Sequence, residues 1–158
     1  MSRSSRCAWV ARLLLVLALA AVAGQATAAP GDPKVVDGVT VYLGVLPSEM
    51  IRGHPAQHDE STMHGGIPSG TRFHHVVVFL VDSRPSHHPE DMEVRATVQP
   101  LGLAPAGKRL EPMHLGGTIS FGNYFSMAGA NSYNIAIELR RPGEQNWRRV
   151  EFAYQHPR

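Results

Sequence analysis

The residues most able to do chemistry in this chain are its imidazoles and thioethers. There are nine histidines and six methionines against one cysteine, and that cysteine, Cys7, lies ahead of an apolar N-terminal block. Two pairs, Met63-His64 and Met113-His114, set a thioether beside an imidazole, and His74-His75 opens a strongly apolar run. Imidazole with thioether is a ligand set for copper, above all Cu(I), whereas imidazole with carboxylate also suits zinc or ferrous iron. Binding requires three or four such donors to converge. The candidate metal ligands are therefore Met63, His64, His74, His75, Met113 and His114. Neighbouring residues on a strand point to opposite faces, so one of His74 and His75 is expected inside and the other solvated at an edge. His87 and His88 sit in a turn-rich stretch, His54, His58 and His156 stand apart, and Met92 and Met127 read as core or surface filler.

Other chemistries find little support. No Gly-x-Ser-x-Gly elbow, His-Glu-x-x-His helix or CxxC pair occurs, so no catalytic residues are assigned and the chain is read as a non-enzyme. Gly65-Gly66 and Gly116-Gly117 are isolated doublets that fit turns better than phosphate cradles.

The elements that must position the donors are strands. Residues 76–81, Val-Val-Val-Phe-Leu-Val, form a β-branched and aromatic run bounded by Gly70 and by Asp82, Ser83 and Pro85, as expected of a strand covered on both faces. Residues 35–46 alternate through Val39, Val41 and Leu43 as one half-buried strand, or as two joined at Asp37-Gly38. Residues 47–70 lack a sustained period and contain four glycines and two prolines between Gly53 and Gly70, together with His54, His58 and His64. They predict a long loop, and loops of that length in small domains often carry function. Residues 92–103 alternate again and are expected to form a hairpin with the central strand. Short strands follow at 108–113, 118–127, 132–141 and 147–154. About seven strands and no ten-residue helical period predict an all-β, antiparallel, immunoglobulin-like β-sandwich without the usual disulfide.

The first 28 residues stand outside that pattern. Arg3, Arg6 and Arg12 precede the apolar block 13–22, and Ala26-Thr27-Ala28 offers a small-x-small cleavage site, the layout of a secretory signal peptide. The expected organisation is a signal at 1–28 and one domain at 29–158, delivered to the periplasm. The signal holds three of the fifteen Lys and Arg and none of the thirteen Asp and Glu, which leaves the remainder at a net charge of −1. Nucleic-acid binding, which needs a clustered basic face, is not expected. With no cysteine after residue 28, the domain must be held by its own core.

Several stretches taken in order carry a family resemblance. VYLGVLPSEM, the His-containing loop, the apolar strand, LEPMHLGGTISFGNYFSMAG, SYNIAIELRRPG and the closing VEFAY together resemble the periplasmic ferrous-iron transport protein family. A looser similarity links the chain to YtkA-like domains. The resemblance implies a small exported β-sandwich that binds copper or iron and assists metal uptake. Its partners would be a transition-metal ion, an inner-membrane transporter or other envelope protein, and a second protomer in a homodimer. Met113 matches the family's ligand methionine and His64 its loop histidine. The chain departs from the pattern at Ser120, where the family has a histidine before the aromatic-glycine step, and at Glu144-Gln145-Asn146, which contains none. Either His74, His75 or His114 replaces those ligands, or the fold persists as a metal-free immunoglobulin-like interaction module.

Overall fold

A two-residue turn shows how the sequence starts the sheet. In the computed structural model, which describes residues 32–53, 62–84, 88–115, 117–128 and 132–156, Asp37 and Gly38 both take left-handed φ values of 47° and 78°. Such a pair reverses the chain with the twist that a hairpin requires. It joins β1 (Lys34–Val36) to β2 (Val39–Pro47), and a single turn of helix, α1 (Ser48–Ile51), follows. The remaining strands are β3 (Phe73–Asp82), β4 (Glu93–Pro100), β5 (Ala106–Leu115), β6 (Thr118–Ser126), β7 (Ser132–Arg140) and β8 (Arg148–Gln155).

All pairings are antiparallel, in the order β1-β2-β3-β6-β5-β4-β7-β8. One strand belongs to both halves of the fold. Residues 106–110 of β5 pair with β4, and residues 111–115 pair with β6. Pro112, which has no N–H to give, falls just beyond the change of partner. The two layers enclose an apolar core in which Val41, Val76, Val78, Phe121 and Phe125 of one face Val94, Val98, Ile135, Ile137 and Phe152 of the other. At the end of β3, the buried carboxylate of Asp82 binds Arg84 at 2.7 Å and Arg141 at 2.8 Å, tying that strand to the β7–β8 connection.

The all-β reading holds, with three corrections. There are eight strands rather than seven, because β1 and β2 are separate. The strand at 93–100 does not pair with β3: it lies between β5 and β7, since the core-facing alternation of Val94, Ala96 and Val98 fits the opposite layer. Both His74 and His75 are buried, at 6% and 0% exposure, because both faces of β3 are covered at that point. No helix among the described residues is long and apolar enough to cross a membrane. The signal segment 1–28 and His54, His58 and His87 lie outside the described residues.

Candidate metal centre

Strand register decides which side chains meet. His75 lies opposite Tyr124, Val77 opposite Gly122, Gly122 opposite Glu111, and Ser120 opposite Met113. Paired residues share a face, so His75, Tyr124, Gly122, Glu111 and Met113 all project from one side of the β3-β6-β5 ladder. This is the side turned away from the inter-sheet core, because Val76, Val78, Phe121 and Phe125 occupy the other. Gly122 leaves a gap in the middle of that face, which its neighbours fill from two directions. A Cβ built on Gly122 would lie 2.6 Å from His75 Nε2 and 2.6 Å from the Met113 methyl carbon. The imidazole and the thioether thus converge above the glycine. His75 is further held by stacking on Tyr124, with ring centres 4.6 Å apart and planes 27° from parallel.

The third donor comes from the loop. His64 has a left-handed φ of 60° and is followed by Gly65 and Gly66 at 81° and 87°, and the Gly66 N–H donates to the Met63 carbonyl at 3.0 Å. Non-glycine residues in that region carry conformational strain and concentrate at functional sites. Here the turn delivers a fully buried imidazole, whose ring centre lies 5.5 Å from His75 and 5.9 Å from Tyr124. His64 Nδ1 is 2.9 Å from a Glu111 carboxylate oxygen. An ionised carboxylate only accepts, so Nδ1 carries the proton and Nε2 presents its lone pair. That Nε2 and both ring nitrogens of His75 are buried without a protein partner.

Electrostatics keep these rings neutral. Burial, reinforced by the neighbouring His64, pushes the His75 imidazole down to about 4. Burial also lowers His64, outweighing the upward pull of Glu111. At neutral pH the set is two neutral imidazoles and a thioether, with lone pairs available. An imidazole nitrogen binds a metal at ~2.0 Å, which puts the ion roughly 3.2 Å from the ring centre; two rings on one ion then have centres about 4.5–5.5 Å apart. The His64–His75 separation of 5.5 Å meets that condition. No group of three His, Cys, Asp or Glu able to hold a metal occurs among the described residues. With the Met113 thioether added, the two imidazoles would make a set that suits a soft ion.

The six candidate residues therefore separate. His64, His75 and Met113 come together. Met63 is half-buried in the loop turn, His114 is exposed on the strand face opposite Met113, and His74 faces the other side of β3, 4.5 Å from the His156 ring. Sequence reasoning passed over Glu111, Gly122 and Tyr124. All three fall in the stretch quoted for the family resemblance, but their roles depend on register. A separate cavity of about 300 Å³ between residues 99–102 and 132–134 offers Tyr133 as its one titratable group.

No family model matches the chain, and no curated protein matches it in sequence. Solved structures do resemble it. A DUF4426 family protein from Pseudomonas aeruginosa PAO1 superposes with a TM-score of 0.62 at 12% identity, over 80% of this chain and 94% of its own. A copper-bound variant of FetP from uropathogenic Escherichia coli strain F11 gives 0.60 at 12% identity, over 80% and 95%. Copper-reconstituted P19 from Campylobacter jejuni gives 0.59 at 15% identity, over 80% and 94%. The chain thus has the fold of FetP and P19, in keeping with the resemblance read from its sequence.

Proposed function

We propose that this protein is an exported, non-catalytic carrier that takes up a transition metal as cargo at His64, His75 and Met113, with copper preferred and iron as competitor. The observation that carries this reading is the group of three buried, partnerless imidazole nitrogens beside a thioether. Each unsatisfied buried polar atom costs about 1–3 kcal/mol, and a bound ion would relieve that cost at His64 Nε2 and at one ring nitrogen of His75. The structural likeness to copper-bound FetP and P19 supports the same reading. The signal layout at 1–28 supports a periplasmic location.

Each side chain has a definable task. Glu111 holds His64 in the tautomer that turns Nε2 inward, the orienting role that outer carboxylates play for metal-bound histidines. Tyr124 fixes the plane of His75. Met113 supplies the soft donor, and Gly122 leaves room for both. Two donors stand on strands and the third on a loop, so part of the site is rigid and part adjustable. Ferrous iron, which favours nitrogen and oxygen, would have to draw Glu111 away from His64, which ranks it below Cu(I).

Competition titration with Cu(I), Cu(II), Fe(II) and Zn(II) against chelators of known affinity tests the reading. Met113→Leu conserves volume and should lower Cu(I) affinity tenfold or more, ~1.4 kcal/mol, as should His75→Ala. Unchanged Cu(I) affinity in both variants refutes the site.

A second reading, a metal-free interaction module, draws on one feature. Val35, Tyr42 and Val81 are 68%, 42% and 53% exposed and share the outer face of the same sheet, where Thr40 lies opposite both Val35 and Val81. An envelope protein docking there would be lost on Val81→Lys, with metal binding intact.

A further inference from the structure

The imidazole that leaves the first site enters another cluster. His74 points from β3 to the side opposite His75, is 6% exposed, and its Nδ1 is buried without a protein partner. His156, just past β8, places its ring 4.5 Å from His74 at a tilt of 58°. His156 Nε2 lies 3.1 Å from the Met127 carbonyl. A carbonyl only accepts, so Nε2 carries the hydrogen and Nδ1 the lone pair. Tyr133 meets His156 edge-on at 5.3 Å, and its buried hydroxyl also lacks a partner.

Among the described residues, the buried side-chain nitrogen and oxygen atoms without partners are few, and they segregate. Apart from Ser48 Oγ, all belong to the His64–His75 pair or to this second cluster. Ring packing alone does not account for that: apolar rings would fill the space without burying unpaired polar atoms. The 4.5 Å separation of His74 and His156 also falls at the lower end of the about 4.5–5.5 Å range for two imidazoles sharing one ion.

We infer that His74 and His156 form a second cation site on the opposite side of β3, with the Tyr133 hydroxyl as the neighbouring oxygen donor. Its donors are nitrogen and oxygen, and Met127 offers His156 its backbone carbonyl. The site suits a divalent ion of borderline softness, with Zn(II) as the representative, and discriminates against the Cu(I) taken by the thioether site. The chain would carry two ions of different character, back to back across one strand.

The test uses the purified protein, loaded with one equivalent of Cu(I) and titrated with Zn(II) against a chromophoric chelator. His156→Gln keeps an N–H for the Met127 carbonyl and removes the imidazole. Wild type should take up Zn(II), His156→Gln should bind it at least tenfold more weakly, and the Cu(I) affinity of that variant should stay unchanged. Imidazole nitrogen resonances of His74 and His156 should shift with Zn(II), while those of His64 and His75 do not. Equal Zn(II) affinity in wild type and His156→Gln overturns the inference, as does Zn(II) binding lost on Met113→Leu instead. Zn(II) uptake through His156 in a protein that takes no Cu(I) would sink the copper proposal and leave this one standing.

Discussion

Adding one methyl group at Gly122 should both weaken the fold and separate the donors. The backbone there has no left-handed φ, so alanine is conformationally acceptable and gains about 0.4–1 kcal/mol by restricting the unfolded chain. Against that, the new Cβ would sit 2.6 Å from His75 Nε2, 3.1 Å from His75 Cε1 and 2.6 Å from the Met113 methyl carbon. Ordinary contacts between such atoms are ~3.5–4.0 Å, so each group must retreat by about 1 Å. Met113 can swing on flexible torsions. His75 is rigid, fully buried and stacked on Tyr124, so its displacement disturbs the ladder. Overpacking of this kind costs about 1–3 kcal/mol, and the net loss after the entropic gain is about 1–2 kcal/mol. Urea unfolding of metal-free wild type and Gly122→Ala measures it, and chelator competition should show Cu(I) affinity at least tenfold lower. Gly107→Ala is the control, because its Cβ would meet Thr97 Oγ1 at 3.5 Å, an ordinary contact. If Gly122→Ala loses stability but keeps wild-type Cu(I) affinity, the two donors do not meet above the glycine and the site is misplaced.

Three further outcomes follow from the same geometry. Glu111→Gln frees the His64 tautomer and should reduce Cu(I) affinity by roughly 10–100-fold, while thermal unfolding of the metal-free protein changes little. Metal-free stability should fall with acid. An unfolded histidine takes up its proton near ~6.5, whereas folded His75 resists protonation until about 4. The contribution is therefore complete above ~6.5 and lost as pH drops through the folded value, by up to about 3 kcal/mol. His64 acts in the same direction, and His75→Phe should flatten the dependence in urea titrations at pH 7 and 4.5; an equally steep loss in that variant rejects the assignment. Asp82→Asn leaves two guanidinium groups facing a neutral amide and should cost about 2–4 kcal/mol in unfolding free energy, with Cu(I) affinity unchanged.

Local chemistry made part of this molecule readable in advance. Asp37-Gly38 announced its turn, and the alternation through Val39 and Val41 named a buried face that both occupy. The apolar run after His75 is likewise the centre of a sheet, flanked by β2 and β6. What stayed hidden depends on partners distant in the chain. The alternation in β4 is the same whichever strand it pairs with, and nothing in residues 106–115 signals that β5 changes sheets. His74 and His75 were correctly set on opposite faces, yet periodicity could not reveal that the outer face is roofed by the loop bearing His64. Gly122 read as a generic glycine because only register puts it between His75 and Met113. Glu111 drew no notice because its partner lies 47 residues away.

That separation bears on when a metal cargo, on the proposed function, could be acquired. His64 depends on a carboxylate of β5, and His75 meets Met113 only after β6 has inserted between β3 and β5. These are non-local pairings, which require the entropy of long loop closure to be overcome. A metal ion cannot nucleate such a chain in the way that zinc organises a small finger from nearby cysteines and histidines. On the proposed function, folding would come first and loading second, and the ion bound would be chosen by the compartment in which the chain completes its sheet, whatever metals it met while extended.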